Sequence, residues 1–469
     1  SNFSLRIDNK FDLKEFQIES EVDLNELSLL NQLNLIKIFP EIKEEISFFK
    51  NKINIRYKDK NFEIKGKGNI SIQNQYDFIE YVIKNNNGKL NFETNYKINK
   101  NPLFLNFLNF KKNQKLETLI NIKGYKDKKN KVKLNLLSLN EANSDILIKD
   151  LLLDSNFKII DVKNIKLNYL DKDNKKNSLS LLKKNKKYNL TGSFFNADRF
   201  IENLLFDSKE NKSKFFSKNF DLNLNIKEVR MDKQFNLQNF TGNISFKDNE
   251  LFSGLLIGNF SNQKKLKLTI KNNGDNKITT LFLDYAEPIV GRYKFIKGFD
   301  GGILDFSSEK NNSETISKLK IYNFRLKEVP ALTKILTLAS LQGIADILTG
   351  EGIRFDEFEM NFRNKGNLMT IDEIYAIGPA ISILMNGYSE KNQLISLRGT
   401  LVPATTINKA IGSIPVLGKI LVGSKTGEGV FGVSFKIKGP PKKLETTVNP
   451  IKTLTPRFIT RTIEKIKKN

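Results

Sequence analysis

Lys52-Ile53-Asn54-Ile55-Arg56-Tyr57 alternates polar and apolar side chains, and this two-residue period recurs from the start of the chain to about residue 283. On an extended strand successive side chains point to opposite faces, so each such stretch has one apolar face and one polar face. Phe3-Leu5-Ile7, Phe62-Ile64, Ile70-Ile72, Leu90-Phe92 and Val132-Leu134-Leu136 follow the pattern. So do Leu222-Leu224-Ile226, Ile244-Phe246 and Leu266-Leu268-Ile270. Between them sit Asn-, Asp-, Lys- and Gly-rich clusters such as Lys84-Asn85-Asn86-Asn87-Gly88, which are turn chemistry. Short turns join antiparallel neighbours, so the pattern predicts a mainly β chain laid down as one long antiparallel meander.

A meander that is apolar on one face needs a cover for that face. Helix candidates are few and short: 24–50, 197–206, 285–295 and a stretch beginning at Leu332. A closed barrel of some two dozen strands would leave a lumen too wide for side chains to fill. The remaining solution is a sheet curled along its length into an elongated apolar groove. About 25 strands at ~4.8 Å spacing would give a groove roughly 120 Å long. Residues 165–206 and 281–302 share an order of strand, short helix and turn, a weak sign of serial repetition.

Composition narrows the function. The chain has no Cys, His or Trp, which removes disulfides, Cys/His metal sites and Ser–His or Cys–His catalysis. Its 36 Phe residues and 39% apolar content argue for a folded chain. The net charge of +25 raises nucleic-acid binding as a reading. The lysines are spread along the whole chain, however, which suits solvent-facing strand positions such as Lys52, Lys58, Lys65 and Lys133 better than one basic patch. No window has the ~18 to 20 uninterrupted apolar residues of a membrane span. The chain begins Ser-Asn-Phe, so any membrane anchor is expected before Ser1.

One stretch breaks the alternation. "LTKILTLASLQGIADILTGEGIRF" (332–355) has helical spacing, three glycines and few charges. At about 100° per residue, Thr333, Thr337 and Ser340 fall on one side of a helix, and Gln342, Asp346 and Thr349 nearly opposite. The switch predicts two short helices over 332–348, bent near Gly343 and ended by Gly350 and Gly352. They fit a plug at the end of the groove, or an amphipathic element touching lipid. Lys334 and Asp346 cancel, so charge gives no pull toward a membrane, and the plug is favoured. Ile335, Leu338, Leu341, Ile344 and Leu348 are its candidate lining residues.

"VPALTKILTLASLQGIADILTGEGIRFDEFEMNF" (329–362) resembles the carboxyl-terminal region of AsmA-like proteins of the YhdP type. So do "IGPAISILMNGYSE" (377–390), "LRGTLVPATTINKAIGSIPVLGKILVG" (397–423), "GVFGVSFKIKGPPKKLETTVNP" (429–450) and "LTPRFITRTIE" (454–464). Upstream, "AEPIVGRYKFIKGFDGGILDF" (286–306) fits the same pattern, although Pro456-Arg457 stands where the family usually has Pro-Gly. The resemblance covers about 281–469. It implies a carboxyl-terminal domain there, with a helical plug at 330–349 and a terminal helix near 454–467, after a repetitive β-groove region at 1–280.

It further implies a bridge-like lipid-transfer protein related to TamB, in the periplasm of a diderm bacterium and anchored to the inner membrane. Such a protein would carry glycerophospholipid along its groove toward the outer membrane. An outer-membrane or envelope partner is expected at the carboxyl-terminal end. There the apolar loop 411–422, with Ile411, Leu417 and Leu421, and the cations Arg457, Arg461 and Lys465 are candidates for meeting lipid.

Other chemistry is weaker. Asp356, Glu357 and Glu359 could serve a glycosidase only with a further acid–base constellation, and they read as a solvated strand face. Gly423-Ser424-Lys425-Thr426-Gly427 lacks phosphate-loop spacing, and Gly298 to Gly302 reads as a turn. No metal-loop motif is present, so no enzyme activity and no cofactor are expected. A lipid carrier is therefore preferred, with a structural envelope factor as the alternative and nucleic-acid binding behind both.

Overall fold

The computed structural model describes residues 1–469 except 8, 10–12, 32–34, 186, 207–218, 248–249, 275, 293–296, 312, 328, 340, 392, 404–431, 442 and 452–469. The fold is mainly β, with four short α-helices among the described residues. The chain divides into two compact units, residues 1–252 and 253–469.

The first unit opens with β1 (Asn2–Ile7), β2 (Leu13–Leu30), β3 (Glu45–Lys58), β4 (Asn61–Ser71), β5 (Asp77–Asn86) and β6 (Lys89–Ile98). An insertion follows, with the two-residue strands β7 (Phe104–Leu105) and β8 (Phe110–Lys111) around a 3-10 turn at Asn106–Leu108. The meander resumes with β9 (Thr118–Lys126), β10 (Val132–Glu141), β11 (Ser144–Leu153), the short β12 (Ile159–Asp161) and β13 (Asn164–Leu170). It continues through β14 (Lys176–Lys184), β15 (Lys187–Asn196), helix α1 (Asp198–Phe206), β16 (Phe220–Arg230) and β17 (Asn236–Lys247).

Strands of the meander pair antiparallel, β6 with β9 across the insertion and β11 with both β12 and β13, whereas β15 and β16 are parallel. Parallel neighbours need a crossover of a dozen or more residues. The stretch 197–219, containing α1, supplies it, and Ala197 N–H donates to the Arg230 carbonyl at 2.9 Å where the crossover starts. Helix α1 matches the candidate at 197–206. The helix expected over 24–50 does not form, because β2 and β3 pair from Gln17↔Lys58 to Leu30↔Glu45. Phe48, on that ladder, packs edge-on against Tyr81 at 6.1 Å, and this cross-strand packing outweighs local helical spacing.

A meander puts alternate connections on opposite rims of its sheet. On one rim of the first unit lie compact hairpins, 58–61, 86–89, 126–132 and 184–187. Three longer turns of this unit share one chemistry. Asp127, Asp154 and Asp171 each accept from the backbone N–H two and four residues on, at 2.8–2.9 Å. The residue before the last donor is left-handed in each, at Asn130, Phe157 and Asn174.

The other rim carries long insertions: 31–44, 99–117 and the crossover. The 99–117 insertion is tied at Phe104 N–H to the Ile38 carbonyl at 2.9 Å, and at the Leu108 carbonyl to the Tyr169 hydroxyl at 2.9 Å. Phe104 to Leu108 reaches at most ~17 Å. Seven strand spacings separate β3 from β13, ~34 Å in a flat sheet. The bridge across these strands is shared by two insertions, since Ile38 belongs to 31–44 and not to β3. Phe39, Leu103, Leu108 and Phe110 form one core with Ile70, Tyr96, Ile98, Leu139, Ile146 and Tyr169 at the strand ends.

The unit boundary falls inside β18 (Glu250–Asn259). The second unit continues with β19 (Lys265–Asn272), β20 (Lys277–Leu283), helix α2 (Glu287–Val290), β21 (Lys297–Lys310) and β22 (Thr315–Lys327). Helices α3 (Pro330–Leu338) and α4 (Gln342–Thr349) precede β23 (Ile353–Lys365), β24 (Leu368–Ile377), β25 (Ile381–Glu390) and β26 (Leu394–Pro403). β27 (Gly432–Gly439) and β28 (Glu445–Ile451) end the described meander. From β18 to β28 every pairing of neighbours is antiparallel.

The division expected after residue 280 lies inside β20. Helix α2 is one turn long, shorter than the 285–295 candidate, and is stopped at Gly291. Gly298 to Gly302 is the irregular start of β21 rather than a turn, with Gly301 and Gly302 both at positive φ. A Cβ at Gly302 would press on Ile321, Phe299 and Phe324 at 3.1–3.2 Å, so a side chain there would strain both backbone and packing.

Candidate functional site: a half-covered apolar face

Register aligns the apolar positions into rows across the strands. In the first unit Ile55 faces Ile64, Ile64 faces Ile83, and Ile83 faces Phe92. A second row runs Ile148, Ile165, Leu181, Leu190 and Leu224. Within the second unit Leu268, Leu281, Phe306, Leu319 and Met360 form a row of the same kind. Every residue of these three rows is only half-buried. Further along the same strands the rows close over: Ile70, Ile98 and Tyr169 toward the insertion rim of the first unit, and Leu283, Leu304 and Ile321 toward α2 in the second, are buried.

The difference is chemical as well as geometric. A fully covered Ile, Leu or Phe gains about 1.5–3 kcal/mol from burial, so a half-covered one forgoes about 1 kcal/mol. A continuous row of them is a surface on which an apolar chain gains free energy along its length. One glycine on this face marks a close approach of neighbouring strands. Gly124 stands between Phe92 and Leu134, and a Cβ there would lie 2.2 Å from the Lys133 carbonyl oxygen.

The opposite face is charged. Lys52, Lys58 and Lys65 are exposed, as expected of outward positions. Lys133 is half-buried beside Asp150, at 3.1 Å. Arg56 pairs with Glu19 at 3.4 Å, and Lys123 with Glu93 at 3.0 Å. Glu63 takes Lys84 at 2.7 Å and Lys65 at 3.2 Å, and its carboxyl is held below the ordinary value by the Lys84 hydrogen bond first.

Two polar clusters sit among the apolar ones. Lys112, 1% exposed, donates to the carbonyls of Asn99, Asn113 and Leu116 at 2.5–2.9 Å and so fastens the 99–117 insertion. Near the hairpin rim Asp161 accepts from Lys183 at 2.6 Å and from the Tyr188 hydroxyl at 2.5 Å. Burial raises the Asp161 pKa, but the hydrogen bonds from Lys183 and Tyr188 outweigh it and leave the carboxyl below its ordinary value. Burial first, then Asp161, pushes the Tyr188 hydroxyl up to about 12.

The expected plug residues separate. Ile335 (3% exposed) and Leu348 (0%) are buried, and Leu341 and Ile344 are half-buried. Leu338 is 50% exposed and does not line the interior. Its place on α3 is nearly opposite Leu336, which is buried with Leu332 and Ile335. The helices do break as predicted, but between Leu338 and Gln342, before Gly343, which is the second residue of α4. Across β21, β22 and β23, Phe299, Phe324 and Phe355 stack at 5.4 Å intervals.

Ile411, Leu417, Leu421, Arg457, Arg461 and Lys465 lie outside the described residues. So do the 411–422 loop, residues 423–427 and the terminal helix expected at 454–467. Glu359 is not on a solvated face. It is 4% exposed and bridges Lys318 at 3.1 Å and Lys320 at 3.6 Å. Among the described residues no group of His, Cys, Asp or Glu is placed to hold a metal ion, and no helix is long and apolar enough to cross a membrane. Compared with known proteins, the chain matches no family model and no curated protein.

Proposed function

We propose that this chain is a lipid-transfer protein of the AsmA-like, bridge-like group, working in the periplasm and holding the acyl chains of glycerophospholipids against its half-covered apolar rows. The observation that carries this reading is the one-sidedness of cover. The apolar rows stay half-exposed over many strands, whereas a filled core would bury them as the insertion-rim residues are buried. Each acyl methylene moved out of water gains about 0.8 kcal/mol, so a sixteen-carbon chain gains roughly 12. A row of Ile, Leu and Phe without a polar interruption supplies that environment continuously. A structural envelope factor, the alternative reading, would have no use for uncovered rows.

The test is site-specific photocrosslinking in cells. Benzoylphenylalanine replaces Ile64 or Ile165 on the apolar face, and Lys65 or Lys166 on the opposite face. Phospholipid adducts are expected at the first pair only. No adduct at Ile64 and Ile165, or equal labelling of all four positions, would sink the reading.

A further inference from the structure

We infer that the hairpin rim of the first unit is a cationic rail for the phosphate headgroups of anionic glycerophospholipids whose acyl chains lie on the adjoining apolar rows. This rests on the lipid-carrier reading and adds which lipid it favours and which way the lipid faces.

Three observations point to it. Four connections of this rim are rich in lysine and asparagine, "KDKN" at 58–61, "KNNNGK" at 84–89, "KDKKNK" at 126–131 and "KKNKK" at 183–187, whereas the 153–164 connection on the same rim carries Asp154 and Asp161. The acids of these connections are engaged: Asp59 accepts the Phe16 N–H at 3.3 Å, Asp154 holds its own turn, and Asp161 is taken by Lys183 and Tyr188. Asp127 is turned into its own hairpin, accepting the backbone N–H of Lys129 and Lys131, and Glu63 is shared by Lys65 and Lys84. Lys58, Lys60, Lys126, Lys128, Lys129 and Lys131 make no ion pair among the described residues and, as side chains, are exposed.

The second observation is register. Lys126 is paired with both Leu90 and Val132, so an exposed ammonium stands in the last apolar row before the rim. Cation and apolar surface are thus side by side, as a phosphate and its acyl chains are in the ligand. The third is contrast between the rims. On the insertion rim Lys172, Lys175 and Lys176 share their turn with Asp171 and Asp173, and Arg199 is paired with Glu202 at 2.6 Å. With strands ~4.8 Å apart, hairpin tips on one rim recur about every 10 Å, a spacing that offers successive headgroups a fresh pair of lysines.

The test uses the purified, delipidated full chain, incubated with mixed vesicles of phosphatidylglycerol and phosphatidylcholine. Lipid recovered with the protein is quantified by mass spectrometry. The wild type is expected to enrich phosphatidylglycerol, less so as salt rises. Combining Lys126→Gln, Lys128→Gln, Lys129→Gln and Lys131→Gln spares the backbone donors that Asp127 needs. It should lower the preference by about fivefold or more, the effect of one lysine near an anionic surface, while phosphatidylcholine uptake is kept. Lys115→Gln, Lys172→Gln, Lys175→Gln and Lys176→Gln together remove the same charge from the insertion rim and should leave the preference unchanged.

An unchanged preference in the first variant overturns the rail. So does an equal fall in both variants, which would make net charge the cause. Wild-type protein that takes up neither lipid overturns the carrier reading itself, and the rail with it.

Discussion

Lys112 does with one ammonium what a short loop cannot do with its own backbone, since it gathers three carbonyls into the interior. Lys112→Met would strand them, and a buried acceptor left without a partner costs about 1–3 kcal/mol. A stability loss of about 3 kcal/mol is expected, read as a lower urea midpoint. Gly124→Ala should also destabilise, by about 1–3 kcal/mol, because the added methyl meets backbone that cannot turn aside. Asp161 links stability to pH. Its folded pKa lies below the ordinary 3.8, so its contribution is complete above that value and lost as pH falls through the folded value. Urea denaturation at about pH 5 and about pH 2 should show the wild type losing more stability than Asp161→Asn over that interval. An equal loss in the two proteins would remove Asp161 from the account.

Elements divide by how local their cause is. Strands of the first unit are legible because alternation is a local signal, and so are turns in which Asp is followed three residues on by Asn, as at Asp127 and Asn130. Helix α1 is legible for the same reason. The failure over 24–50 has a different origin: the apolar spacing of Leu24, Leu27 and Leu30 suits a helix, and only the partner strand β3 decides otherwise. The 99–117 insertion was missed although "NPLFLNFLNF" (101–110) loses the two-residue period there. Nothing local says that this apolar run folds back onto strands distant in sequence. The pair of short helices was found, but with its break between Leu338 and Gln342 rather than at Gly343. The pair now gives a sharp comparison. Leu338→Asp should change stability by less than about 0.5 kcal/mol, as a surface substitution does. Leu348→Asp puts a charge where no solvent reaches and should unfold the second unit, read by thermal denaturation.

At the scale of the whole molecule, the proposed lipid-carrier role requires that the occupied and empty proteins differ in stability. A ligand that binds only the folded state adds about 2.7 kcal/mol when present at a hundred times its Kd. Delipidated protein is therefore expected to melt at a lower temperature than protein purified with its lipid, and added phospholipid should close the gap. A melting temperature indifferent to lipid would mean that the rows are not occupied.

The self-contained hairpins have one more consequence. Each turn of the Asp127 type satisfies its own hydrogen bonds, and within the first unit a strand of the meander pairs only with its neighbours. A strand pair away from the insertions is thus a unit of length. Removing or adding one such pair keeps inside and outside in phase and returns every later connection to its own rim, whereas a single strand would exchange the two. Length in this architecture is counted in twos, and a chain of this design can be lengthened or shortened by duplicating or deleting hairpins without redesigning its ends.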